Sequence, residues 1–153
     1  MPSISFHSPL GMLTLSEEDG VLVSLDWGQA PKNESTPLLE NGRRQIDEYF
    51  DGVRTVFDLA LDPHGTVFQQ KVWKALQAIP YGCVQSYKDV ALAVGSGPRA
   101  IGGACGRNPL PIIIPCHRVV ASNGAMCGYS GMDGVDTKQY LIDLEKENLE
   151  TNS

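Results

Sequence analysis

Apolar and polar residues alternate at the start of the chain and then change period. Phe6 to Leu15 and Val21 to Trp27 alternate, which predicts strands buried on one face. Glu17-Glu18-Asp19-Gly20 lies between them, an acidic turn ending in Asp-Gly, and predicts a hairpin. Residues 28–37 read as a loop. From Leu38 to Phe50 the apolar residues Leu39, Ile46, Tyr49 and Phe50 fall near helical spacing, and Asp51-Gly52 ends the run. Val56 to Leu61 predicts one more strand. Asp62-Pro63-His64-Gly65 reads as the connection to a second part.

The second part has helical periodicity. Phe68, Val72, Leu76 and Ile79 form one face, widened by Trp73 and Ala75, and Pro80 stops the helix. Tyr81-Gly82 turns the chain, and Val84 to Tyr87 is short and extended. Ser86 caps the next helix, with Asp89 completing a partial capping box; it runs to Val94 and ends at Gly95. Pro98 suits the first position of the helix that follows. Two short helices joined by Gly95-Ser96-Gly97 form a helix-turn-helix candidate. The second contains Gly102, Gly103 and Gly106, each costing about 1 kcal/mol of helix propensity relative to alanine. Such a slim helix suits close approach to another surface, or tight helix–helix packing within the fold. A last helix is predicted from Thr137 to Leu149, with Asp136 as N-cap and Tyr140, Leu141, Leu144 and Asn148 or Leu149 near one face.

Composition narrows the class. The chain has 153 residues, 42% hydrophobic and 20% charged, enough to bury a core and too polar in every stretch for a membrane span. Met1 to Ser5 lack a basic region followed by an apolar stretch, so no secretory signal and a cytoplasmic location are expected. Cys83, Cys105, Cys116 and Cys127 form no CxxC pair and no zinc-finger spacing with histidine, so neither a disulfide framework nor a metal site is expected. The net charge of −6 disfavours nucleic acid, but its distribution does not. Residues 68–132 carry six basic side chains and one acidic, between two acidic segments. A basic block of this kind marks either an anion-binding face or ordinary solvated surface.

Candidate chemistry is concentrated in Pro115-Cys116-His117-Arg118-Val119. A thiol needs a base or a nearby positive charge to become a nucleophile at neutral pH. His117 can serve directly or through one water, and a carboxylate serves best to fix its tautomer. Glu145 is one of several candidates that spacing alone does not separate. The bland alternative is a buried, inert cysteine beside a hydrogen-bonded histidine.

These five residues resemble the active-site signature of the O6-alkylguanine-DNA alkyltransferases, also called methylated-DNA–protein-cysteine methyltransferases. Similarity extends through Gly65 to Trp73, Ile79-Pro80-Tyr81-Gly82, Ser86-Tyr87, Arg99 to Ala104, Asn108-Pro109, Tyr129-Ser130-Gly131 and Lys138 through Glu145. It is looser over Ser8 to Gly11 and Gln45 to Gly52. The resemblance implies an α+β (α/β) fold in two domains. Residues 1–64 would form a small ribonuclease H-like β-sheet with a helix. Residues 65–153 would form a mainly helical DNA-binding and alkyl-acceptor domain with a helix-turn-helix.

It also implies a role for each matching residue. Cys116 takes the alkyl group from guanine O6, His117 removes its proton through a water, and Glu145 supports the charge. Asn108 holds the bend before the active-site segment. Tyr87 helps rotate the nucleotide out and protonate the leaving base. Arg99, Ala100, Gly102, Gly103, Tyr87 and Arg107 meet DNA from the minor-groove side, with Arg99 filling the gap left by the flipped nucleotide. Val119, Tyr129, Ser130, Gly131 and Cys105 line the substrate pocket. The expected partner is double-stranded DNA containing alkylated guanine, bound by a monomer without metal or organic cofactor. The thioether formed is a poor leaving group, so the protein is expected to act once. Gly131-Met132-Asp133-Gly134 departs from the family pattern and bears on lid geometry and alkyl size. A non-enzymatic damage sensor and a helix-turn-helix regulator are the alternatives. The cysteine at 116 removes the main support of the first, and the chain lacks the added regions of dual repair-regulator proteins.

Overall fold

A computed structural model describes residues 1–121 and 135–151. The chain divides into two compact units, Met1–His64 and Gly65–Ser153. The fold is mixed α+β.

In the first unit, β1 (Ser3–Ser8), β2 (Gly11–Glu18) and β3 (Val21–Trp27) form an antiparallel sheet in chain order. Sequence alternation predicts one segment where β1 and β2 are two. The turn between them is made locally: Ser8 Oγ donates to Gly11 O (2.7 Å) and accepts from Leu10 N (3.1 Å), and Gly11 takes φ 101°. The second hairpin turns at Asp19 and Gly20, both at positive φ, the geometry an Asp-Gly pair favours. Ile4, Phe6, Leu13, Leu15, Leu22 and Leu25 are buried, together with Leu39, Ile46 and Tyr49 of α1 (Pro37–Phe50). Thr36 caps α1 by accepting from Leu39 N (3.1 Å).

The strand expected over Val56 to Leu61 does not form. Gln45 of α1 supplies the reason. Its amide donates to Asp58 O (3.0 Å) and accepts from Asp58 N (2.8 Å), taking up both backbone groups a neighbouring strand would use. Only a single parallel bridge remains, Leu22 to Leu61.

In the second unit, α2 (Val67–Gln77) opens with a full capping box, Thr66 with Gln69. After a turn comes β4 (Gln85–Ser86), then α3 (Tyr87–Val94), opened by the Ser86–Asp89 box and closed by Gly95 in the left-handed conformation. Helix α4 (Pro98–Gly106) completes the helix-turn-helix. A 3-10 turn, Cys116–Arg118, leads into β5 (Val119–Val120), which pairs in parallel with β4. Helix α5 spans Val135–Thr151. Val72, Trp73, Leu76, Val90, Ile101, Leu110 and Leu141 are buried. The Trp73 indole donates to Ala104 O at 2.9 Å, tying α2 to the end of α4. Among the described residues no helix is long and apolar enough to cross a membrane.

The buried stripe of α5 is Thr137, Lys138, Leu141, Ile142 and Glu145, while Tyr140 and Leu149 are exposed. An apolar count selects a different face because two of the buried residues are charged. Helix α5 also grips the turn after α2. Gly82 N donates to Glu145 Oε1 (3.0 Å) and Asn148 Nδ2 donates to Tyr81 Oη (3.1 Å). Gly82 has φ 81°, and a Cβ there would lie 2.7 Å from Leu149 Cδ2. Gly82→Ala is expected to lower stability by about 1–3 kcal/mol from backbone strain and crowding. An unchanged urea midpoint would count against both causes.

Candidate active site

The segment that leads to Cys116 is shaped before it reaches the thiol. Asn108, just past α4, donates from Nδ2 to Ile114 O (2.8 Å) and accepts at Oδ1 from Leu110 N (2.9 Å). One side chain thus closes residues 108–114 into a loop. Leu110 O accepts from Ile114 N at 2.8 Å, and Ile112 sits at φ 75°, a conformation costly for a β-branched residue. Burial of Leu110, Ile112, Ile113 and Ile114 opposes that cost. Cys116 and His117 then emerge on a 3-10 turn. Successive side chains on such a turn point about 120° apart. Adjacent thiol and imidazole therefore face different directions.

His117 is fully buried and faces α5. Its Nε2 lies 2.5 Å from Glu145 Oε2. Arg118 takes the same carboxylate with two prongs, Nε to Oε1 at 2.9 Å and Nη2 to Oε2 at 3.1 Å. Its third nitrogen, Nη1, donates to Ile79 O at 2.7 Å, and its guanidinium lies over the Tyr81 ring at 5.7 Å. With Gly82 N on Oε1, Glu145 accepts from four donors.

Electrostatics assigns the protons. Burial opposes charge on Glu145, but the hydrogen bonds and charges of His117 and Arg118 outweigh it and hold the carboxyl down to about 2. An ionised carboxylate only accepts, so His117 Nε2 carries the hydrogen. Burial lowers the His117 pKa below its ordinary 6.5, against the pull of Glu145 and with added lowering from Arg118 and Lys138. The resting imidazole is therefore neutral, with its basic lone pair on Nδ1. Burial also raises the Cys116 thiol above its ordinary range, and an Asn108 hydrogen bond and the Lys138 charge only partly offset this. Cys116 is therefore a thiol at neutral pH.

A second charged contact lies beside the first. Lys138 is 1% exposed, and its Nζ donates to Tyr87 Oη at 3.1 Å while lying 5.3 Å from the Tyr87 ring centroid. An ammonium has no acceptor, so the phenolic hydrogen is directed elsewhere.

Two family models match this chain. One is described as 6-O-methylguanine DNA methyltransferase, DNA binding domain, over residues 67–147. The other is the ribonuclease-like domain of the same family, over residues 3–63. The chain belongs to the 6-O-methylguanine DNA methyltransferase family. It is 43% identical to the constitutive methylated-DNA–protein-cysteine methyltransferase of Bacillus subtilis, over 92% of each chain. A methylated-DNA–protein-cysteine methyltransferase of Methanosarcina barkeri is also 43% identical, over 94% of this chain and 96% of that one. The crystal structure of Mycobacterium tuberculosis OGT in complex with DNA superposes with a TM-score of 0.87 at 40% identity. That match covers 97% of this chain and 94% of the other.

Within this methyltransferase family member, the fold brings Cys116, His117, Glu145, Asn108, Tyr87 and Val119 into one neighbourhood, joined by the contacts above and the β4–β5 pairing. Cys105 is buried at the end of α4, its thiol pushed up to about 12 by burial and by the neighbouring Cys116, with Lys138 opposing. Arg99, Ala100, Gly103 and Arg107 are exposed on or just after α4, and Gly102 is half-buried. Tyr129, Ser130, Gly131, Cys127 and the Gly131–Gly134 stretch lie outside the described residues. Sequence reasoning missed Lys138 and the buried role of Arg118. The available signal was a charge at each position within otherwise buried segments.

The shifted groups set an acid limit on stability. Both folded pKa values lie below the ordinary ones, so each contribution is full above its ordinary value and fades as pH falls. For His117 the loss begins near its ordinary 6.5, and for Glu145 it runs from 4.5 towards about 2. Glu145→Gln should therefore lack the second phase in a stability-against-pH series measured by urea unfolding. Parallel curves for the two proteins below the ordinary Glu145 value would contradict the assignment.

Proposed function

We propose that this protein repairs O6-alkylguanine in double-stranded DNA by moving the alkyl group onto Cys116, once per molecule. The carrying observation is a buried imidazole whose Nε2 meets Glu145, a carboxylate also bound by Arg118 and Gly82 N, next in sequence to a buried thiol. The thiol hydrogen passes through a water to His117 Nδ1. The sulfur attacks the alkyl carbon, the S–C bond forms as the C–O6 bond breaks, and the electron pair stays on guanine. Glu145 stabilises the imidazolium for that step. Tyr87, with its oxygen accepting from Lys138, is placed in this scheme to donate its hydrogen to the departing base. Asn108 keeps the bend that presents the thiol, and Cys105 and Val119 wall the pocket. No residue in the scheme removes the thioether. The reaction takes place in the cytoplasm, where reducing conditions keep Cys116 free.

DNA is met by α4. A Cβ on Gly103 would find no atom within 4 Å, and one on Gly102 only Tyr87 Cε1 at 3.9 Å. Internal packing thus does not require either glycine, which favours close approach to an outside surface. Arg99 wedges into the space of the extruded nucleotide, and Ala100 and Arg107 flank the groove. Residues 65–153 act as the DNA-binding and acceptor domain.

Two outcomes follow. Mass spectrometry after incubation with an O6-methylguanine duplex should show one methyl group on the protein, absent in Cys116→Ala. Tight binding without transfer would instead mark a damage sensor, and preference for one undamaged sequence a regulator. Gly103→Ala should leave the fold as stable or up to about 1 kcal/mol more stable, yet weaken duplex affinity in an anisotropy titration. Unchanged affinity would remove the close-approach role.

A further inference from the structure

We propose that Arg118 is a positioning residue for alkyl transfer: its two-pronged grip on Glu145 fixes which nitrogen of His117 carries the hydrogen and keeps that ring uncharged before reaction. The proposal rests on the function above, with His117 as the base.

The geometry gives Arg118 more than a packing role. It is 7% exposed and all three guanidinium nitrogens are engaged: Nε and Nη2 with the two carboxylate oxygens, Nη1 with Ile79 O. Tyr81 covers its face, and Asn148 holds Tyr81 from α5. The guanidinium is therefore fixed from three elements: α5, the residue just past α2, and the turn after it. A planar fork on a planar carboxylate sets the carboxylate's rotation. That rotation leaves Oε2 facing His117 Nε2 at 2.5 Å.

Charge supplies the second half. Glu145 lies between two possible cations, Arg118 and His117. With Arg118 present, the guanidinium matches the carboxylate's charge and the imidazole has no need to ionise. Without it, the buried carboxylate would be neutralised most easily by protonating His117, since an unpaired buried charge is costly. A ring already protonated cannot accept the thiol hydrogen. The groups facing the imidazole are Glu145 and Lys138 from α5 and Arg118 from its own turn. Tyr81 lies under the guanidinium and is within electrostatic reach of Glu145. Lys138 acts in the same direction as Arg118, and its Nζ donates to Tyr87 Oη at 3.1 Å.

The test reads the ring directly. In protein carrying isotopically labelled histidine, NMR titration follows His117, assigned by its loss in His117→Gln, with His7 and His64 as internal references. Wild type should show a neutral ring with its hydrogen on Nε2 near neutral pH. In Arg118→Met the titration midpoint should rise by about one pH unit or more, and methyl transfer at neutral pH should fall at least about ten-fold. Arg118→Lys keeps the charge without the fork and should give an intermediate midpoint with a smaller loss of rate. A folded Arg118→Met with the wild-type midpoint overturns the proposal. Should that variant not fold, a wild-type midpoint and rate in Arg118→Lys overturns it. Failure of the base assignment is a different result: wild-type transfer by His117→Gln, whatever Arg118 does.

Discussion

One buried carboxylate organises the part of this protein around Cys116. Glu145 receives a backbone amide from the turn after α2, an imidazole and a guanidinium from the 3-10 turn, and is itself carried by α5. A charge so far from water survives only when its lone pairs are filled. Filling them draws these segments together. The consequences reach the thiol. An ionised Glu145 dictates a hydrogen on Nε2, which leaves the lone pair on Nδ1, and burial raises the neighbouring Cys116 thiol above its ordinary range.

The protein uses two kinds of precision. Around Cys116 everything is packed and bonded: Asn108 closes its loop, Ile112 holds an unfavourable backbone angle, and parallel β4–β5 pairing sets Tyr87 beside the segment. On the outer side of α4 the design is absence. Small residues there leave backbone close to the surface, and the cations at Arg99 and Arg107 stand at its two ends. The first arrangement suits bond-making and the second suits contact with a large polyanion.

Much of this was readable before any coordinates. Local rules sufficed where partners are close in sequence. Ser86 with Asp89, Gly95 and Pro98 gave the helix-turn-helix its ends, and Asp19-Gly20 gave a hairpin. Legibility ended where a distant group decided. Gln45 removes the expected strand at Asp58 from thirteen residues away. The inward face of α5 is hidden from an apolar count because Lys138 and Glu145 belong to it. Spacing did not single out Glu145 from other carboxylates, and Arg118 looked like a solvated cation in a basic block. The signature around Cys116 pointed to the family through resemblance rather than through periodicity.

The order of these parts along the chain has a temporal meaning. A ribosome that has released Cys116, His117 and Arg118 has not yet released α5, so the nascent thiol segment exists without its carboxylate or its lysine. Three polar side chains destined for burial must wait, hydrated, for the helix that completes them. The buried cluster around Glu145 is therefore completed last in biosynthesis, when α5 docks. A truncated chain ending before α5 would carry His117 and Arg118 without the carboxylate that binds them both.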